Sequence, residues 1–280
     1  MSELMYKNIY GLTCIENHVL ALLKKSGEEE QYFYFNSFVN TLELYTDIVT
    51  KQQSFYHYQG IEKIQNFCKI KGLISLQKYI NNTLQIPDGS STIFIRVTDD
   101  FNKNTLHSRA FRQDHFVIVQ PYKESLYTVI NDIPSTKLLM TKKEITNVYD
   151  GEYFTFDILR KLSSSEKSKI FEAGVDNIRN HIVSYSPLPI ADHVISAKHL
   201  KDFIFLLRQL RKRNVVFLNI KFNSELFILL LDEYERLFTQ CQYYYMRGVL
   251  TGNNIDLLIS KLNNIEEKYL SIMEKVLHEY

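Results

Sequence analysis

Between residues 92 and 156 the apolar side chains recur with period two, and after residue 196 they recur every three or four residues. A chain that gathers its strands in one stretch and its long helices in another folds as α+β rather than as alternating β-α units. Residues 93–97, 116–119 and 126–130 read as strands, with 153–156 as a fourth. The connection 120–125 suits a hairpin, and Asn131-Asp132-Ile133-Pro134-Ser135 has the composition of a turn. Further on, Leu200, Phe203, Leu207 and Leu210 mark one helix, and Leu226, Leu230, Tyr234, Leu237, Cys241 and Tyr244 a second. Leu258, Leu262, Ile265, Tyr269, Ile272 and Val276 step by four and three, the seam of a helical bundle. Residues 215–222 suit strand and helix about equally.

Upstream of the strands, Ile15, Val19, Leu22 and Leu23 form one helical stripe. Thr13 is its expected N-cap, Glu16 completes the S/T-x-x-E capping box, and Gly27 is the expected stop. Cys14 therefore sits in the first turn, where free N–H groups and the helix dipole favour a thiolate. The plain alternative is a small buried side chain, the usual fate of a free cysteine. The aromatic-rich 28–58 ends in a helix near 39–50. Residues 60–70 begin a strand or helix, 73–84 read as a helix through Leu73, Leu76, Ile80 and Leu84, and 87–91 as a turn. Residues 141–145 start a brief helix, and 160–195 form a connector with one helix. The expected division is 1–160, a connector over 161–195, and a helical bundle over 196–280.

At 280 residues, 45% hydrophobic and 23% charged, the chain has a globular composition and room for a sizeable core. A net charge of +1 gives no global attraction to nucleic acid or an anionic membrane. Three widely spaced cysteines, with no CxxC pair, argue against a disulfide framework or a zinc site. His107, His181, His193 and His199 show no ligand spacing either, so no metal is expected. The first residues lack a signal peptide's apolar run, and no run is long enough to span a membrane. The expected setting is the cytoplasm.

The chemistry-bearing candidates lie far apart in the chain. His115 enters the strand 116–119, and the next strand runs into Asp132. Antiparallel pairing brings the start of one beside the end of the other, so a carboxylate and an imidazole share one end of the sheet. An imidazole held by a carboxylate can take the proton of a thiol. His18 is a weaker base candidate because it shares a helix with Cys14, and Asp114 faces away from its neighbour His115. Cys68 and Cys241 lie in apolar patterns and read as core.

Cys14 at a helix start, the segment from Asp114 to Val119 and the segment from Ile130 to Pro134 together resemble papain-like cysteine peptidases. More narrowly they resemble the bacteriocin-processing C39-type peptidases and the butirosin-biosynthesis acyltransferase family, over roughly residues 8–158. The resemblance implies a papain-like fold, an N-terminal helix packed on an antiparallel sheet, with the C-terminal helical unit better matched by the butirosin-type family. It implies Cys14 as nucleophile, His115 as base and Asp132 as the acid that orients it. Papain-like enzymes carry a glutamine about six residues before the cysteine to help bind the oxyanion, and that position here is Asn8, a shorter donor.

Butirosin-type enzymes and the cysteine-protease-like amide-forming enzyme of closthioamide assembly further imply an acyltransferase of antibiotic, nonribosomal-peptide-like biosynthesis. In that case a phosphopantetheine thioester on an acyl or peptidyl carrier protein is the donor, a small amine is the acceptor, and no cofactor is resident. The same triad serves a peptidase or a thioesterase, and a silent scaffold binding through its helices is the reading from another class. The basic run Arg208, Arg211, Lys212 and Arg213 reads as cations closing a helix, or as a dock for an acidic carrier or its phosphate.

Overall fold

The structure is a computed structural model that describes residues 6–7, 9–54, 63–86, 92–106, 115–189, 195–221 and 226–278. It is α+β, and divides into two compact units: residues 1–30 with 63–163, and 31–62 with 164–280. Residues 31–62, kept with the N-terminal part when the sequence is read alone, thus group with the C-terminal helices.

In the first unit, helix α1 (Cys14–Lys25) begins at N-cap Thr13, whose hydroxyl accepts from Glu16 N. Glu16 is itself buried; its Oε2 accepts from Leu12 N at 2.8 Å and its Oε1 from Ile64 N at 3.1 Å. One carboxylate therefore ties the start of α1 to the start of the later helix Ile64–Ile70. Beyond C-cap Ser26 the chain turns through Gly27 at φ 91, a left-handed conformation that costs glycine nothing, and Glu28 N returns to Leu23 O. Val19, Leu20, Leu22 and Leu23 are buried, each worth roughly 1.5–3 kcal/mol against exposure.

Six antiparallel strands form one sheet: β1 (Ile74–Ile80), β2 (Thr92–Val97), β3 (Phe116–Lys123), β4 (Leu126–Asn131), β5 (Thr136–Thr141) and β6 (Tyr149–Ile158), in spatial order β1-β6-β2-β3-β4-β5. Helix α1 packs against β3. The short helices α4 (Asp99–Asn104) and α5 (Lys142–Val148) are capped by Thr98 and by a capping box of Thr141 with Glu144. Ile93, Ile95, Val97, Val117, Val119 and Val129 share one apolar cluster, as period two requires of strands with one buried face.

The strand count exceeds the sequence expectation by two. Within the expected helix 73–84, residues 74–80 form β1 instead: Ile74 and Leu76 are buried two apart, and the strand pairs with β6 from Ile74↔Ile158 to Ile80↔Glu152. Steps of three and four among Leu73, Leu76, Ile80 and Leu84 imitate a helix, but ladder pairing along 74–80 wins. The edge strand β5 escapes the sequence reading because Leu139, on its exposed face, is as apolar as its inward neighbours Leu138 and Met140, so the alternation is hidden.

The second unit contains helix α2 (Thr41–Tyr45), which continues as a π turn (Thr46–Thr50), and four long helices: α6 (Ser164–Ser184), α7 (Ala197–Leu218), α8 (Leu226–Met246) and α9 (Asn253–His278). Helix α3 (Ile64–Ile70) belongs to the first unit. The ambiguous 215–222 resolves largely into α7, which places the basic run in mid-helix rather than at its end.

The bundle seam is real: Leu258, Leu262, Ile265, Tyr269 and Val276 are all buried. At its centre lies an ion pair in place of apolar packing. Arg211 reaches Glu266 through Nε at 3.0 Å and Nη2 at 2.6 Å, and both residues are 0% exposed. No described helix is long and apolar enough to cross a membrane.

Candidate active site

The site is built where the start of α1 meets the start of β3. Cys14 is the first helical residue and keeps partial exposure, whereas Cys68 and Cys241 are fully buried. One turn along α1, His18 donates Nε2–H to Phe116 O at 2.8 Å. That bond leaves Nδ1 unprotonated, so it accepts from Tyr6 OH at 2.7 Å. Both nitrogens of His18 are thus committed. Burial lowers its pKa, partly offset by Asp132 and the Phe116 carbonyl, and lowered again by His115. A neutral His18 with both nitrogens bonded is a strut between helix and sheet.

His115 immediately precedes β3 and is nearly buried. Its carbonyl accepts from Val97 N at 3.0 Å, fixing its backbone to β2. Its Nε2 lies 2.6 Å from Asn131 Oδ1, while Asn131 Nδ2 donates to Pro134 O at 2.7 Å. The second bond settles which end of the amide faces the ring, because only the nitrogen can donate to a carbonyl. Asn131 Oδ1 is then an acceptor and Nε2 carries a proton, so in the neutral ring the lone pair lies on Nδ1. That is the tautomer a general base needs.

The orienting bond expected of Asp132 is therefore made by its neighbour Asn131, a correction with a simple geometric cause. The β3–β4 register pairs Ile118 with Ile130; continued one step it sets Val117 opposite Asn131. Residues two apart on a strand share a face, so His115 shares the face of Asn131 and not that of Asp132. Asp132 turns to α1: its Oδ2 accepts from Asn17 Nδ2 at 2.8 Å and its Oδ1 from Ile133 N at 2.9 Å. Asn17 lies on the Cys14 face of α1, three residues on.

Burial, followed by the Asp132 carboxylate, pushes the Cys14 thiol up to about 12; the main-chain N–H groups of Phe116, Ile15 and Cys14 itself hold it back only in part. The helix-start preference for thiolate anticipated from the sequence is present but outweighed. At neutral pH the resting side chain is a thiol, so attack on an electrophile requires a base. The Phe116 N–H that acts on this sulfur belongs to the residue after His115, so the thiol lies at the entry of β3.

Asn17 Oδ1 also accepts from Gly11 N at 2.8 Å. A Cβ on Gly11 would lie 2.3 Å from that oxygen and 2.6 Å from Asn17 N, and the second is helix backbone. Gly11→Ala is expected to destabilise the first unit by about 1–3 kcal/mol and to move α1 off Asp132. A urea titration on the purified variant measures the loss; an unchanged midpoint would show that the approach at Gly11 is not tight.

A cavity of about 580 Å³ opens beside this cluster, lined by Tyr6, Lys7, Ile9, Asn17, Asp132, Ile133 and Ser135. Asn8, the expected oxyanion-hole donor, lies outside the described residues, as do Asp114, His107, His193 and the turn 87–91.

The basic run, read from the sequence as cations closing a helix or as a dock, is instead largely buried in mid-helix. Arg211 and Arg213 are 0% and 2% exposed. Arg211 pairs with Glu266, and the Arg213 guanidinium lies 5.5 Å from the Tyr34 ring centroid. Arg208 donates to Glu235 at 2.9 Å and stacks 4.1 Å from the Phe238 ring, and Lys212 pairs with the same Glu235. Arg208, Arg211 and Arg213 are buried in mid-helix against Glu266, the half-buried Glu235 and aromatic faces, and Lys212 stays half-exposed beside Glu235. No protein-family model matches the chain, and no curated protein matches it either.

Proposed function

We propose that the chain is a papain-like cysteine acyltransferase that forms an amide from a carrier-bound acyl thioester and a small amine. The observation that carries this reading is the tautomer lock: Asn131 accepts Nε2–H of His115, the residue before Phe116, whose main-chain N–H acts on the Cys14 sulfur. In the first half-reaction the Cys14 thiol proton passes to His115 as sulfur bonds to the acyl carbon. The C–S bond to the donor then breaks, and the departing thiolate takes the proton from His115. In the second, the amine nitrogen attacks the acyl-cysteine, the C–S bond to Cys14 breaks, and the Cys14 thiol re-forms. The N–H groups at the start of α1 supply the oxyanion donors.

The choice of a phosphopantetheine donor, and of transfer over hydrolysis, rests on the likeness to the butirosin-type family. Carrier protein and phosphopantetheine are substrates in this reading, and no resident cofactor takes part.

Incubating the protein with an acyl carrier protein thioester is expected to give an intact-mass adduct that peptide mapping places on Cys14. Added amine should discharge it as an amide. Adduct loss at the same rate with and without amine would make the protein a thioesterase or peptidase instead. Turnover with the acyl group never on Cys14 would remove the reading altogether.

A further inference from the structure

Asp132 is left without the role that a Cys-His-Asp reading gives it, and its position suggests another. It is buried, it lines the cavity beside the cluster, and it is bonded to Asn17 on the Cys14 face of α1. A carboxylate has about four acceptor positions, and two of them are taken here, by Asn17 Nδ2 and Ile133 N. Tyr6 OH, another lining group, is turned to His18. Lys7, the lining cation, is exposed. A negative charge held this close to the nucleophile works against the thiolate, since it helps to raise the Cys14 thiol. Such a group is a handicap for sulfur attack, and it becomes useful only when a positive charge enters the cavity.

We infer that Asp132 is the acceptor-recognition residue of the site, its carboxylate receiving the ammonium form of an aliphatic amine in the cavity beside Cys14. The inference rests on the acyl-cysteine reading above and names the substrate class of its second half-reaction. Aliphatic amines arrive at neutral pH as R–NH₃⁺. One proton must leave before the nitrogen lone pair can attack, and a second leaves as the amide forms. Of these two, one returns to Cys14 sulfur through His115 and the other goes to solvent. The carboxylate gathers the cation from water and holds it one helical turn from the acyl-sulfur bond, and a charge-assisted hydrogen bond fixes the nitrogen.

The test separates this inference from the reading beneath it. Butylammonium is titrated into Cys14→Ser protein by NMR, with no acyl donor present, and the same titration is repeated on Cys14→Ser/Asp132→Asn. Loss of one charge-assisted bond is expected to weaken binding about tenfold or more. In turnover, Asp132→Asn is expected to raise KM for butylamine by a similar factor, and far more than for methoxyamine, which is neutral at pH 7. Equal binding to both proteins, or binding to neither, overturns the inference and leaves acylation of Cys14 standing. An Asp132→Asn protein that loses methoxyamine and butylamine turnover alike would return Asp132 to the base. Absence of any acyl adduct on the unsubstituted protein counts against the acyl-cysteine reading alone, since the butylammonium titration needs no acyl group.

Discussion

Replacing His115 with alanine is expected to slow acylation of Cys14 by about 10²–10⁴-fold, and to leave a residual rate that climbs about tenfold per pH unit from pH 7 to 10. The steepness follows from the sulfur. With the thiol pushed up to about 12 by burial and then by Asp132, the thiolate fraction far below that value grows tenfold with each unit of pH. Without a base the variant reacts only through that fraction. If His115 takes the thiol proton as proposed, the unsubstituted protein should rise less steeply.

Asn131→Ala keeps the imidazole but frees its tautomer and orientation, and misplacement of that order costs about 10²-fold. Single-turnover acylation followed by quenched intact mass reads both variants. A pH-independent residual rate in His115→Ala would mean that the sulfur is already ionised at rest, and the base role would fall. An Asn131→Ala protein acylating at full rate would hand the positioning role back to Asp132.

The elements of this site were legible in the sequence to unequal degrees. Thr13, the apolar stripe and Gly27 announced α1 correctly, because capping and periodicity are local properties. The strand entry at His115 and the hairpin after it were equally local. The choice between Asn131 and Asp132 needed a register as well. Adjacent strand residues face opposite ways, which turns Asp114 from His115; the same parity, carried across the hairpin, selects Asn131. The expectation instead followed the chemical appeal of a carboxylate.

The sulfur's ionisation was out of reach for another reason. A helix-start dipole is visible in sequence, whereas the depth of burial that outweighs it is a tertiary property. Residues 73–84 show the same limit: three-and-four spacing in a short apolar segment is common to helix and strand, and only pairing with β6 decides it. The basic run misled because charge in a sequence reads as surface. Its burial depends on Glu266, Glu235, Tyr34 and Phe238, none of them near it in the chain.

That buried charge sets the second large effect: Glu266→Ala is expected to cost the helical unit about 3–5 kcal/mol at pH 7. Glu266 accepts twice from Arg211, from Thr41 Oγ1 at 2.5 Å and from Tyr234 OH, and its removal leaves the Arg211 guanidinium uncompensated at 0% exposure. Burial alone would raise the Glu266 carboxyl, but Arg211, Thr41 and Tyr234 more than reverse it, and the net direction is down. Its contribution is therefore complete above the ordinary carboxylate pKa of roughly 4.3 and is lost as pH falls through the lower folded value.

His181, 3.3 Å from Arg211 through Nε2, meets acid earlier. Burial, then the adjacent Arg211, brings it down to about 3. Below the unfolded value of roughly 6.5 the unfolded chain binds a proton that the folded one refuses, and stability falls by about 1.4 kcal/mol per pH unit until the folded pKa is reached. Amide hydrogen exchange along α7 and α9 at pH 7 and 4.5 should show the difference, and His181→Phe should flatten it. The double change Arg211→Met with Glu266→Leu should recover part of what Glu266→Ala loses, because removing both charges leaves neither one unpaired. Equal protection in Glu266→Ala and the unsubstituted protein would mean that water reaches Arg211, and that the bundle is held by its apolar seam alone.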